Sequence, residues 1–544
     1  MKFKGIFTLC LAGAAALAAN AQTHQEGREY YKADQLENAK DLLTRSLSNP
    51  QTDKAVSNYY LGLIALGEKD NAAAAKYFEQ GIAADADNPY NYVGQGRIQL
   101  LNGDAKAAET LFKQAEKLTK KDPGVEIAIA RAYDAVDPVV YAKQITKAVD
   151  KARKYDLESP EIYLFEGDIL KENKDWGGAA AKYEMAANYD PNATAAYVKY
   201  ANLFTQVNPD YAVKMLTNLL SVNPNSALGQ RELANAYYNK KDYKKAAELY
   251  GQYVKNPSHF KSDEDRYSFL LFYGGDYKNG YDYATQLLAA NPKNFTAQRY
   301  QFMNAAQIPE MQQQILPLAE ALYAVHKANP SVNKMAPIDY TLIADELDRA
   351  KRIDEAIDVL NEAIKEMPEN ANFNKQLSMI YVDKGDLEAA ANAYKGYIEK
   401  TEEPGYNDFV QQATFLYYAG VQTKNDPAKF NQYLAEEEEV INKAAEAYPG
   451  YYKPNKMRGD IAKLKADKAN AEKAAAPLYE KAIAEYETLE APSNAAKNDA
   501  MDMYIYLGNY YYTLGDKAKA KTSFNKAIEI DPSNEELRKF ADSL

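Results

Sequence analysis

Apolar residues along this chain recur three and four positions apart, and the strict alternation of a half-buried strand is missing. The pattern predicts helices throughout. A short, clear case closes the chain, where Leu537, Phe540, Ala541 and Leu544 fall at i, i+3, i+4 and i+7 on one helical face. That face predicts a helix over 534–544 that covers the element before it.

A longer period lies over the helical one. Small residues stand at Gly62, Gly96 and Ala130, 34 apart, and at Gly167 and Ala201, again 34 apart. Each heads a similar series. Gly62 precedes Ala74, Phe78 and Gly81; Gly96 precedes Ala108, Phe112 and Ala115; Gly167 precedes Ala179, Tyr183, Ala186 and Pro191. Ala234, Ala344 and Ser378 head further units, and the last runs from Tyr504 through Gly508, Tyr511, Ala520 and Phe524 to Ala527 and Pro532. Each series is consistent with two helical stretches separated by a turn. Only Gly, Ala or Ser fits where their axes come close, and aromatic rings fill the space above and below. Gly67-Glu68, Gly103-Asp104, Gly385-Asp386 and Gly515-Asp516 mark the turns, glycine for a left-handed cap and aspartate to cap the next helix. Asp190-Pro191 and Asp531-Pro532 end second helices, because proline cannot continue a helix interior.

These residues resemble the tetratricopeptide repeat, with Tyr504 in place of the usual tryptophan. The resemblance implies an all-α fold, a right-handed superhelical solenoid of antiparallel helix pairs with a C-terminal capping helix. About twelve units fit the template, eight of them convincingly. The expected organisation is a signal peptide over 1–21, an N-terminal array over 22–292 and a degenerate helical repeat or hinge over 293–336. A C-terminal array over 337–533 and the capping helix over 534–544 complete it. Tyr30 to Pro50 reads as a degenerate first unit. Asn256 to Asp265 lengthens one connection, Thr401 to Tyr452 loses the anchors, and Lys453 to Leu489 reads as a helix pair rich in Ala, Lys and Glu.

Composition adds a location. Lys2 and Lys4, the apolar stretch Gly5 to Ala19 and the sequence Ala19-Asn20-Ala21 have the form of a secretory signal cleaved after Ala21. The only cysteine, Cys10, lies inside it behind Leu9, a poor context for lipidation. The mature chain therefore has no disulfide and no thiolate chemistry. Loss of Lys2 and Lys4 takes the formal charge from -12 to -14, which disfavours nucleic acid and anionic lipid as partners. No later apolar run is long enough for membrane insertion after cleavage. The expected location is periplasmic, and the pattern carries no signal of oligomeric state.

No catalytic constellation emerges. His24, His259 and His326 are scattered, and no nucleophile elbow, phosphate loop or dinucleotide fingerprint is present. Gly274-Gly275-Asp276 reads as a helix–helix turn. The acidic run Glu436 to Glu439 reads as a solvated helical face, and Trp176 as a side chain packed over a turn. No cofactor, metal or enzymatic activity is expected.

The resemblance places partner contacts on the first helix of each unit, three before, one after and four after the small anchor. Those positions are Leu164, Asp168 and Lys171; Val198, Asn202 and Thr205; Arg231, Asn235 and Tyr238; and Ile505, Asn509 and Tyr512. The candidate groove contacts are Asp168, Lys171, Asn202, Arg231, Asn235, Tyr238, Asn509 and Tyr512. Only Arg231, Asn235 and Asn202 resemble the two-carboxylate clamp of some family members, so a chaperone-tail clamp is not expected. In the triplet Tyr510-Tyr511-Tyr512, Tyr511 is expected to pack between helices, Tyr510 to face the capping helix and Tyr512 to face the groove. The implied function is a non-enzymatic scaffold or adaptor of the bacterial envelope that holds a protein or peptide in the concave groove. The alternative is a glycan-binding relative in an outer-membrane carbohydrate uptake system. A hydrolase or lyase on a helical toroid is disfavoured by the scarcity of histidine, the most frequent acid–base group.

Overall fold

The computed structural model describes residues 23–466 and 471–544, and the expected signal peptide lies outside them. Among the described residues every regular element is a helix. They form two compact units that divide between Ile308 and Pro309, inside the stretch 293–336.

The first unit contains α1 (Thr23–Lys32), α2 (Leu36–Ser46), α3 (Lys54–Gly67), α4 (Asn71–Ala84), α5 (Pro89–Leu101), α6 (Ala105–Thr119), α7 (Pro123–Asp134) and α8 (Ala142–Tyr155). It continues with α9 (Pro160–Glu172), α10 (Trp176–Tyr189), α11 (Thr194–Phe204), α12 (Pro209–Val222), α13 (Ala227–Asn239), α14 (Tyr243–Tyr253), α15 (Ser262–Tyr273), α16 (Tyr277–Ala290) and α17 (Phe295–Ala305). Consecutive helices pack as antiparallel pairs from α1/α2 onward. The anchors explain the packing. A methyl group at Gly62 would sit 2.4 Å from the Phe78 ring, so only glycine lets α3 approach α4 there. Ala74, Ala108, Ala179, Ala212 and Ala246 on the second helices are all wholly buried.

The turn chemistry differs from expectation in one place. Gly67 and Glu68 do not make the left-handed turn; Lys69 does, at φ 64°, and Asp70 caps α4 by accepting from the Ala73 amide. Lys174, Lys241 and Lys351 take the same conformation. The aspartate that follows or the helix itself fixes the geometry, so glycine is dispensable. Gly275, at φ 78°, turns the chain between α15 and α16 as expected.

The second unit opens with a short 3-10 turn (Pro309–Met311) and α18 (Gln312–Ala328). It then runs through α19 (Pro337–Arg349), α20 (Ile353–Glu366), α21 (Ala371–Lys384), α22 (Leu387–Lys400), α23 (Tyr406–Gln422) and α24 (Pro427–Ala447). It closes with α25 (Tyr452–Lys465), α26 (Ala471–Tyr486), α27 (Asn494–Thr513), α28 (Lys517–Ile530) and the capping helix α29 (Glu535–Asp542). The pair α25/α26 is more than an Ala-, Lys- and Glu-rich hairpin. A methyl at Gly459 would meet the Tyr479 ring at 2.4 Å, which is the same anchor as Gly62 and Phe78.

Two members of the tyrosine triplet differ from expectation, while Tyr511 packs between helices as expected. Tyr512, 46% exposed, meets the capping helix, with its ring edge-on to Phe540 at 5.3 Å. It lies one turn beyond Gly508, on the face that receives Phe524, and Phe540 stacks edge-on to Phe524 at 5.5 Å. Tyr510 packs into the cluster formed by α26 and α27. Tyr511 donates to Glu480 of α26 and lies under Lys519 of α28. At the start of α28, Asp516 accepts from the Lys519 amide. Asp516→Ala is expected to lower the stability of the last repeat by about 1 kcal/mol, read by urea denaturation.

Candidate functional site

The first helices of the first unit face inward, and the chain's own N-terminal helix fills part of the space they enclose. Helix α1 contacts both α11 and α13, far along the sequence. Two carboxylates on successive turns fasten it. Glu29 Oε2 accepts the Ala195 amide of α11 at 3.1 Å, and Glu26 Oε2 accepts the Leu228 amide of α13 at 3.1 Å. Each satisfies an amide in a helix first turn that has no intrahelical partner, at the positive end of the helix dipole. Burial pushes the Glu26 carboxyl up to about 7, against the lowering effect of the Leu228 amide.

The long connection 256–265 completes the closure. Phe260 stands edge-on to Tyr30 of α1 at 5.3 Å, flanked by the guanidinium groups of Arg45 and Arg231 at 5.6 and 5.8 Å. Arg45 also donates to the His259 carbonyl at 3.3 Å. His259 is thus part of this clasp.

Between α1, α3, α5, α7 and α9 a cavity of about 380 Å³ remains, edged by Arg28, Tyr31, Tyr59, Tyr60, Arg97 and Arg131. At its margin Asp168 accepts from Arg131 at 2.8 Å, Lys199 at 2.8 Å and the Tyr183 hydroxyl at 3.0 Å. Burial pushes the Asp168 carboxyl up, but Arg131 and Lys199 outweigh it and hold it below the usual range.

Of the expected groove contacts, Asp168, Lys171 and Arg231 are therefore turned to residues of this chain. Lys171 and Lys199 both donate to Asp34, each at 2.8 Å, in the turn after α1. Arg231 grips Asp263 through Nε at 2.7 Å and reaches Gln35 at 3.3 Å. Asn235 accepts from Arg266 at 3.5 Å, and that guanidinium lies 4.6 Å from the Tyr238 ring centre. Asn202 is exposed. Trp176, expected to pack over its turn, is 56% exposed at the start of α10.

The second unit presents a different inner face. Helices α23, α25 and α27 border a cavity of about 540 Å³, and Asn509 lies on its edge with Tyr417, Tyr418, Tyr479 and Tyr506. Its cations and anions balance, with Lys453, Lys456 and Lys463 against Asp460, Asp499 and Asp502. Asp460 is held by the Tyr479 hydroxyl at 2.6 Å and Lys456 at 2.7 Å.

The unexpected member is Glu437. The acidic run does not point wholly outward; Glu437 is fully buried on α24 and borders this cavity. Neither of its carboxyl oxygens has a hydrogen-bond partner. Burial, reinforced by nearby Asp460, pushes the group up to about 9, so it is a neutral carboxylic acid at pH 7. The sequence held a signal for it. Tyr433, Leu434, Val440, Ile441 and Ala444 form the buried stripe of α24, and Glu437 falls on that stripe.

No helix among the described residues is long and apolar enough to cross a membrane. Tetratricopeptide-repeat models match residues 24–89, 61–124 and 202–259, then 349–412, and then 502–534. The comparison with curated proteins yields no match. Among solved structures, the C-terminal part of a TPR repeat-containing protein from Cytophaga hutchinsonii is 17% identical with a TM-score of 0.41, covering 51% of this chain and 98% of its own. Pseudomonas aeruginosa pilF is 18% identical with a TM-score of 0.28, covering 40% and 97%. A TPR protein of Thermus thermophilus is 20% identical with a TM-score of 0.25, covering 38% and 98%. Likenesses this distant leave the assignment to the repeat models, whose matches fall on the helix pairs and anchors described above. The chain belongs to the tetratricopeptide-repeat family.

Proposed function

We propose that the chain is a non-enzymatic scaffold of the bacterial envelope that receives a protein or peptide on the inner face of its second unit. Tetratricopeptide repeats make it a protein-interaction scaffold. The N-terminal stretch from Lys2 to Ala21 supports export. The observation behind the choice of face is the cavity beside Glu437, since much of the first unit's inner face is engaged by α1. A buried neutral carboxyl that neither donates nor accepts within the protein carries a desolvation cost, and a ligand can relieve it. Balanced lysines and aspartates, tyrosine hydroxyls and an un-ionised acid together suit a polar peptide backbone, which offers both donors and acceptors.

A photocrosslinking residue at Asn509, or at 49%-exposed Tyr418, should capture a specific protein in intact cells. The same probe at Lys539 on the capping helix should not. Equal labelling from all three positions, or none from the first two, overturns the proposal. The rims of Tyr417 and Tyr418, edge-on at 5.3 Å, also suit a sugar. Retardation in polysaccharide gels that Tyr418→Ala abolishes would replace the peptide by a glycan.

A further inference from the structure

We infer that His326, Glu362 and Glu366 form a binding site for a divalent transition metal of the zinc class, which ties α18 to α20. His326 belongs to the buried stripe of α18 and its side chain is wholly enclosed. Its Nδ1 lies 2.9 Å from the Asn333 carbonyl. A carbonyl only accepts, so Nδ1 carries the proton and Nε2 is the atom left facing inward.

Three oxygens surround that nitrogen. Glu362 Oε1 is 3.4 Å away, Glu366 Oε1 is 3.6 Å away and the Tyr340 hydroxyl is 3.0 Å away. Tyr340 has one proton, and the Glu366 Oε2 atom at 2.8 Å, a pure acceptor when ionised, takes it. Nothing in this group then donates to Nε2. A nitrogen lone pair and two carboxylate oxygens lie within 4.8 Å of one another, and that cluster calls for a positive charge. The centre is more than a patch of acidic side chains, because the inward-facing atom belongs to a residue with no exposed surface.

The outer hydrogen bonds aim the ligands. Glu362 Oε2 accepts from the Tyr323 hydroxyl at 2.7 Å and from Lys327 at 2.6 Å, which leaves Oε1 for the centre. Tyr340 does the same for Glu366. Asn333 is itself anchored, its amide donating to the Val325 carbonyl at 3.0 Å. Ligating histidines and carboxylates are held in this way around bound metals.

The nitrogen–oxygen spacing fits a tetrahedral ion. Ligand atoms about 2.05 Å from a common metal at an angle of about 110° lie about 3.4 Å apart. The two nitrogen–oxygen separations of 3.4 and 3.6 Å fall at that value and slightly above it, and all three donor atoms lie within 4.8 Å of one another. One imidazole and two carboxylates form a borderline donor set, too few oxygens for calcium, and water would fill the fourth corner. The competing occupant of the centre is a proton on Nε2.

The full chain, stripped with a chelator, is titrated with Co²⁺ and then Zn²⁺. One equivalent of Co²⁺ should give the intense visible absorption of a tetrahedral site, and Zn²⁺ should erase it and raise the unfolding midpoint. Glu366→Gln, at a carboxyl 37% exposed and so compatible with folding, should abolish the Co²⁺ band. Tyr340→Phe should weaken Zn²⁺ binding about 10- to 100-fold, as loss of an outer hydrogen bond does elsewhere. Circular dichroism checks that both variants fold. The inference is overturned by no band and no midpoint shift at saturating metal, or by variants that bind as the parent does. Nitrogen NMR showing both ring nitrogens of His326 protonated in the presence of Zn²⁺ overturns it too.

Discussion

Asp168→Ala is expected to destabilise the first unit by about 3 kcal/mol, because it leaves a buried cation without its one largely buried anion. The Lys199 side chain is only 4% exposed and has two carboxylate partners, Asp168 and Asp34. Asp34 is 56% exposed and holds Lys171 as well, so it screens Lys199 poorly by itself. Arg131 loses its bond to the same carboxylate, and the Tyr183 hydroxyl its acceptor. The loss should be read by urea denaturation with a probe in the first unit. A change under about 0.5 kcal/mol, the level of ordinary surface substitutions, would mean that the network is solvated and the closure around α1 loose. The pH dependence has a defined sign. Asp168 is held below its ordinary value, so its contribution is present above the unfolded carboxylate value of about 4 and is lost as pH falls through the lower folded value. Below that range parent and variant should converge.

Glu437→Gln is expected to do the opposite and stabilise the second unit at neutral pH. The carboxyl is raised from 4.5 to about 9 on folding. Its favourable state is therefore fully present below 4.5 and is lost progressively as pH rises toward 9. Each pH unit in that window costs about 1.4 kcal/mol, so the parent carries a penalty of about 3 kcal/mol at pH 7 that glutamine does not. Glutamine keeps the shape and, like the neutral acid, buries polar atoms without partners. Stability measured from pH 5 to pH 8 should fall more steeply in the parent than in the variant. Taking the difference between the two removes the parallel titration of Glu26, whose carboxyl is raised to about 7. Curves that run parallel would show that Glu437 reaches water.

The repeat was legible because its cause is local. Gly167 must be small because Tyr183 fills the space 16 residues later, where a methyl would come within 2.5 Å of the ring. Such pairs repeat at one spacing, so a single chain displays them many times. The pair Gly459 and Tyr479 is hidden in the sequence because their separation is longer, and helices α25 and α26 offer alanines and lysines around them. Glu437 and His326 were half legible. Each sits on a buried stripe, but a stripe does not reveal whether a polar group on it is partnered. Glu362 and Glu366 are one turn apart on α20, and only the fold brings His326 to them.

The sequence by itself determined the solenoid, since each unit is specified by contacts with itself and its neighbours along the chain. What lies on the first unit's inner face was decided only by the tertiary structure. Glu26 meets Leu228 across 202 positions and Glu29 meets Ala195 across 166, at separations unrelated to the repeat. Those contacts depend on how far the successive small rotations between units carry the array round, a sum over many packing angles that no single stretch of sequence encodes. For that reason Asp168 and Arg231 have a groove position in the sequence, and partners from the first helix pair and the 256–265 connection in the folded protein.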